Sequence, residues 1–370
     1  MHGQWLGKFE ATQIAGPITV DVDELPHGFG GRAVVFPPPG IAPVFVGLFE
    51  TTSKVSPAQF FVVLSAANPI TGLSMTWEEV VRQYPVGQFA RQLQVTASWD
   101  AQNLTLNWTS DIGGQGRAVL PRSCAARASE YSLNPVTWDE FKKHVIDLEP
   151  RRFVFRGQRT PGRLRTTYHR SGRADLVRYA KNDIPTLHQN LSARTRHLFN
   201  LRDPLEFGAF LHLGQHHGYP TPLLDWSYSA FVAGFFAYRS ILNSEARSAS
   251  GDDRVRIFKF DRLAWLKDFA EESKIDTLKL HLSFYEFLAV DNERMIPQQA
   301  LSILTNIDDV ESYIRLCDQR NKRTYLEVFD VPVQGRHAIM RELSMMGITA
   351  GSLLPGLDGS CAELRERFFE

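Results

Sequence analysis

The run Gln215-His216-His217-Gly218-Tyr219-Pro220-Thr221-Pro222-Leu223-Leu224-Asp225-Trp226-Ser227 limits what this chain can fold into more than any other stretch. Pro220 and Pro222 fix φ, lack an amide hydrogen and push the preceding residue away from helical geometry. No helix can pass through, and the backbone from Tyr219 to Leu224 must be extended. Upstream, Pro204 to Leu213 reads as a helix, with Asp203 as N-cap and Pro204 at the first helical position. Downstream, Ser227 is placed to cap a helix from Ala230 to Arg239, on which Ala230, Ala233, Gly234 and Ala237 form a small-residue face. Polar side chains therefore collect at element ends, where sites are commonly built. The same residues also suit a plain turn, with Asp225 capping and Trp226 in the core.

At 370 residues the chain exceeds the usual size of one domain, and its 43% hydrophobic content suits a packed globular protein. Forty-one basic residues balance 41 acidic ones, so the overall charge advertises no nucleic-acid partner, although a local patch remains open. Cys124, Cys317 and Cys361 are few, odd in number and without metal-type spacing, which fits a reducing compartment. Residues Met1 to Trp5 do not begin a basic and then apolar leader, and no stretch approaches the ~18 apolar residues needed to span a bilayer. The expectation is a cytoplasmic protein without membrane contact.

Residues 1–130 read as a β-rich recognition domain, an antiparallel sandwich or barrel. Short runs such as Ile18 to Val22, Val44 to Leu48, Phe60 to Leu64, Gln92 to Trp99 and Leu104 to Thr109 are separated by turns. Asp100 to Asn103 has hairpin length. Thr76 and Glu79 form a capping box for one interrupting helix. The Gly113 to Gly116 cluster lacks a following helix, so it reads as a turn, not a phosphate loop. With no catalytic constellation here, binding of a protein partner or a ligand is the expected role.

After a small and polar stretch from Ala126 to Pro135, Thr137 and Glu140 form a second capping box. Strands and helices then mix in the order of an α+β domain with a split or curved mixed sheet, spanning residues 137–370. The strand ending in Phe155-Arg156-Gly157-Gln158 is followed by Arg159, Arg163, Arg165, Arg170 and Arg173, a charge run that is either phosphate-contacting or a solvated loop.

The Gln215 to Ser227 block, the opening Phe155-Arg156-Gly157-Gln158 and the closing Leu343 to Ile348 and Leu353 to Gly359 blocks together resemble the FRG domain family. The chain departs from the family pattern at Pro222, where arginine is usual, and at Ala300 in Asn292 to Ala300, where glycine is usual. By element order the domain is also similar to ADP-ribosyltransferases. That resemblance implies Arg156 as a clasp on the NAD pyrophosphate and Gln298 as the late residue on the nicotinamide ribose, with Glu293 or Glu286 as substitutes. Arg156, Gln298 and Asp225 are the candidate catalytic residues; Arg156, Gly157, Gln158, Gln215, His216, Tyr219, Thr221 and Trp226 are the candidate dinucleotide contacts. Tyr219 and Trp226 offer rings for stacking. The implied function is transfer of ADP-ribose from NAD to a protein or nucleic-acid acceptor, in a bacterial conflict or phage-defence setting. Two alternatives stand beside it: a metal-dependent hydrolase in which His212 and His216, four apart on a helix, share a cation, and a non-enzymatic module that binds nucleotide or nucleic acid.

Overall fold

The computed structural model describes residues 1–12, 14–85 and 87–369. The N-terminal part is a closed antiparallel barrel of β1 (Gly3–Ala11), β2 (Ala15–Glu24), β3 (Phe29–Val35), β4 (Val44–Glu50), β5 (Ala58–Ala67), β7 (Gln92–Trp99), β8 (Asn103–Ser110) and β9 (Gln115–Pro121). β9 returns to β1, and β4 pairs with β5, which closes the ring; β6 (Ser74–Met75) is a short branch on β5. Of the two expected architectures, the barrel is the one adopted. Strand alternation lines the lumen with Phe9, Ile18, Val20, Phe49, Val62, Val95 and Leu106. The helix Trp77–Gln83 carries the expected capping box of Thr76 and Glu79.

One strand breaks the alternation. In β2 every residue from Ile18 to Asp23 is buried, because its outer face meets the C-terminal half of the chain. Gln4 donates to Asn306 O at 2.8 Å and accepts from Asp308 N. Asp23 accepts from the amides of Ala174 and Asp175 and from Arg173 Nε at 2.8 Å. Arg32 reaches Asp276 O at 2.9 Å and pairs with Asp21. The carboxylates and Gln4 are all partnered, and only Arg32 Nε among these groups has none, so the contact is a specific one.

The second sheet runs β13 (Leu282–Tyr285), β14 (Ala300–Thr305), β11 (Leu223–Ser227), β10 (Phe153–Gln158), β12 (Arg254–Asp261), β15 (Leu326–Pro332). All its pairings are antiparallel, so the expected mixed sheet is corrected to an antiparallel one. Helices still cover both faces. Trp138–Ile146, Ala230–Tyr238 and Arg336–Met345 pack on the side of Phe155, Val255, Ile257 and Phe329, and Trp265 and Ile314 pack on the side of Val154, Trp226, Phe258 and Phe260. The sheet is nearly split between β10 and β11, which pair only at Phe155 and Ser227.

Most of the arginine run after β10 is held by ion pairs, while Arg159 and Arg170 stay exposed. Arg159 pairs with Glu245, Arg163 with Glu130 and Asp309, Arg165 with Asp308, and Arg173 with Asp23 and Asp183, so these charges tie the loop to its surroundings. The segment between the two sheets is anchored too: Ser129 and Glu130 bond Glu311, and Asn134 bonds Asp330. Among the described residues no helix is long and apolar enough to cross a membrane.

Candidate functional site

The helix Pro204–His216 begins as its sequence requires, with the Asp203 side chain accepting from the amides of Leu205 and Glu206. It delivers His212, Gln215 and His216 to the middle of β11, where Asp225 stands. The next helix is capped by Ser229, not by Ser227 as the sequence suggested. Ser227 is committed elsewhere: its hydroxyl donates to Gln298 O at 2.8 Å and accepts from the Ser229 amide.

Gly157 determines how that second helix lies. A side chain at Gly157 would come within 1.9 Å of Ala233 O and 2.7 Å of Ala237 N, both helix backbone atoms. The small-residue face therefore lies on the strand, and Gly157 serves this close approach as well as lining the site.

Where β10 and β11 part, Arg156 spans the gap and its Nη1 donates to Asp225 O at 2.5 Å. Around this bridge lies a cavity of about 330 Å³ lined by Arg156, Gly157, Gln215, His216, Asp225, Trp226, Gln298, Arg239, Arg294 and Leu354, among others. The Asp225 carboxylate is held on both oxygens: Gln215 Nε2 donates to Oδ2 at 2.5 Å and Ser302 Oγ to Oδ1 at 3.2 Å. Thr221, fully buried, holds the other end of the Gln215 amide by donating to its Oε1. The side chain of Asp225 remains 40% accessible. Burial would raise its pKa, but contact with His212 and the charge of Arg156 outweigh that and hold it well below the usual carboxylate range. It is therefore an anion at neutral pH.

A chain of polar groups runs outward from this anion. His212 Nε2 lies 3.4 Å from Asp225 Oδ1, His212 Nδ1 faces Asn292 Nδ2 at 3.2 Å, and Asn292 Oδ1 faces His216 Nδ1 at 2.7 Å. The amide of Asn292 assigns the tautomers: His212 accepts at Nδ1 and so carries its proton on Nε2, toward Asp225, whereas neutral His216 donates from Nδ1 and keeps its lone pair on Nε2. Burial, followed by the nearby His212, lowers the His216 pKa to about 4. The two histidines thus share Asn292, and among the described residues no group of three His, Cys, Asp or Glu is arranged to hold a metal ion.

Not every candidate reaches the cavity. Gln158 turns its amide to Gly162 O at 3.1 Å. Tyr219 packs near Tyr179, 6.3 Å between ring centroids, and is not part of the lining. Trp226 lines the cavity but is 3% exposed, with its ring edge-on to Phe258 and Phe260, so no open face is presented for stacking. Gln298 lines it with its amide nitrogen bonded to Leu353 O at 2.8 Å. Glu286 forms a surface cluster with Arg151, Tyr228 and Arg262 instead, and Glu293 is exposed.

Sequence reasoning missed Arg239, Arg294, Asn292 and Ser302. Among the described residues neither Arg239 nor Arg294 has a carboxylate within ion-pair distance. Burial and then the charges of Arg294 and Arg365 lower the Arg239 pKa, which places these like charges close together. The strand alternation after Ala300 could have placed Ser302 opposite Asp225; nothing local marked the other three.

Residues 151–246 match the family model of the FRG domain, about a quarter of the chain, including both Arg156 and the Gln215 to Ser227 block. No curated protein and no solved structure matches the chain.

Proposed function

We propose that the FRG domain binds an NAD-type dinucleotide at the cleft between β10 and β11 and transfers its ADP-ribosyl group to a macromolecular acceptor. The observation that carries this reading is an ionised, accessible Asp225 carboxylate lining a cavity together with Arg239 and Arg294, two cations that among the described residues have no carboxylate within ion-pair distance. Such arginines suit a pyrophosphate, which they bind by charge-assisted hydrogen bonds. A fixed carboxylate suits a ribose that becomes cationic as its glycosidic bond breaks. In the transfer, the bond from C1′ to the nicotinamide nitrogen breaks with its electron pair leaving on nicotinamide. The acceptor oxygen or nitrogen then bonds C1′ and gives up its proton. His216 Nε2, with its lone pair free of Asn292, lines the cavity and takes that proton as base. In this reading Asp225 replaces Gln298 as the principal stabilising group, since an amide carries no charge.

The test is purified protein with NAD labelled in the adenylate portion, incubated with a cell lysate, with and without a chelator. Label transfer that survives chelation and is lost in Asp225→Asn supports the reading. NAD binding without transfer or hydrolysis would reduce the site to a recognition module. No NAD binding at millimolar concentration would overturn it.

A further inference from the structure

We infer that the lumen of the N-terminal barrel is a binding site for an uncharged, largely apolar small molecule, separate from the cleft at Asp225. An eight-stranded barrel is just wide enough either to be filled by its own side chains or to hold one small ligand, and the side chains decide which. Here the two ends differ. At one end Trp5, Phe29, Trp99, Leu104 and Leu120 pack into a solid floor, with Phe29 and Trp99 edge to face at 5.5 Å. Toward the other end the row that runs across paired positions Val20, Ala33, Gly47 and Leu64 contains two of the smallest residues side by side. A cavity of about 340 Å³ results, closed at one end like a cup.

Its lining sets the ligand class. Phe9, Phe45, Phe60, Leu64, Leu93 and Trp108 contribute apolar surface, and among the described residues no charged side chain lines it. Phe60, Leu64, Leu93 and Trp108 are only partly buried although they point into a closed barrel, so the surface they expose faces the cavity. A charged ligand would lose its hydration there with no partner in return. An apolar molecule displaces little water, because apolar cavities of this kind are poorly hydrated. The volume lies within the usual range for small-molecule sites, about 300–1,000 Å³. Among the described residues the polar side chains of the lining are Thr12, Gln88, Ser110 and Gln115, at the mouth, where Ser110 Oγ accepts from Gly114 N and Thr12 Oγ1 from Gln115 N. The ligand class is therefore a neutral, ring-bearing or branched hydrocarbon skeleton whose one hydrogen-bonding group sits at the mouth.

The experiment is a fluorescence titration of the full chain with Nile red, a neutral probe, followed by displacement with 1-naphthol and with 1-naphthalenesulfonate. The expected result is saturable binding at one site per chain, displaced by the naphthol and not by the sulfonate. Filling the lumen by Ala33→Phe or Leu64→Trp should weaken binding about tenfold or more. Phe61→Ser, on the outside of the barrel and 74% exposed, should leave it unchanged. Circular dichroism melts identify a lumen variant that does not fold, and the other then carries the test. Absence of saturable binding, or binding indifferent to both folded lumen variants, overturns the site. Equal displacement by the sulfonate overturns the neutral class.

Discussion

Replacing Gly157 by alanine tests the joint that positions Arg156. The added Cβ would lie 1.9 Å from Ala233 O and 2.7 Å from Ala237 N, and both are backbone atoms that no rotamer change can move. Restoring ordinary contact requires the helix Ala230–Tyr238 to retreat by about 1.5 Å. That helix is also held at Gly234, where an added side chain would meet Trp138 at 2.7 Å, so it cannot shift freely. Overpacking a core in this way costs about 1–3 kcal/mol, and a backbone clash between two fixed elements belongs at the upper end. For a domain of roughly 200 residues each kcal/mol lowers Tm by about 2–4 °C, so the expected fall is about 6–12 °C. Thermal denaturation followed by circular dichroism measures it. A second variant, Gly157→Ala with Ala233→Gly, should not recover stability, since the obstacle is the Ala233 carbonyl and not its methyl group. A Tm within about 1 °C of the parent, or recovery in the double variant, would refute the packing argument.

Asp225→Asn should retain ligand binding while lowering transfer by about 10²–10³-fold, as expected for loss of a group that acts on developing charge; single-turnover kinetics separate the two. Arg239→Ala and Arg294→Ala should each weaken dinucleotide binding by roughly tenfold, an effect of about 1.5 kcal/mol per charge-assisted bond, with the difference from the parent shrinking as salt is raised. Acid should destabilise the fold. Burial lowers the His169 and His281 pKa values from 6.5 to about 4, and burial with His212 does the same to His216, so the unfolded chain binds three more protons over that interval and their contribution to stability, complete above pH 6.5, is lost as pH falls toward 4. Asp21 opposes them: burial, partly offset by Arg32, raises its pKa from 3.8 to about 6, so it favours the native state as pH falls through that range. Asp175, Glu271 and Asp318, raised by burial, act in the same sense as Asp21, while His2 and His144, lowered by burial, and Asp225, whose burial is outweighed by His212, side with the three histidines. The expected outcome is a net loss, with urea midpoints at pH 7.5, 5.5 and 4.5 declining in that order; a rising series would contradict the burial of these histidines.

What could be read from the sequence was what is settled within a few residues. The boxes at Thr76 and Thr137 and the cap at Asp203 involve a side chain and amides two or three positions away, so the local pattern contains the whole interaction. Ser227 and Ser229 show where that stops. Both can cap the same helix, and the choice falls on Ser229 because Gln298, 71 positions later, takes the Ser227 hydroxyl. The same logic governs the site. The i, i+4 spacing of His212 and His216 placed both rings on one face, where the sequence offered a shared cation; in the structure both rings face an amide. The partner is an asparagine 76 and 80 positions away, which no spacing rule could supply. Nor could the pattern show that β10 and β11 touch at one residue pair only, although this parting gives the cleft its location. Arg156 closes the upper part of that gap with a side-chain bond to Asp225 O in place of a strand ladder. Because the Asp225 carbonyl is satisfied in this way, the two strands can part beside the cavity without leaving it an orphaned backbone acceptor. The arginine of the opening motif therefore has a structural duty on Asp225 whether or not it also touches a phosphate. It follows that Arg156→Ala alone cannot distinguish anchor from ligand contact, whereas Arg239→Ala, at a residue with no such bond, can.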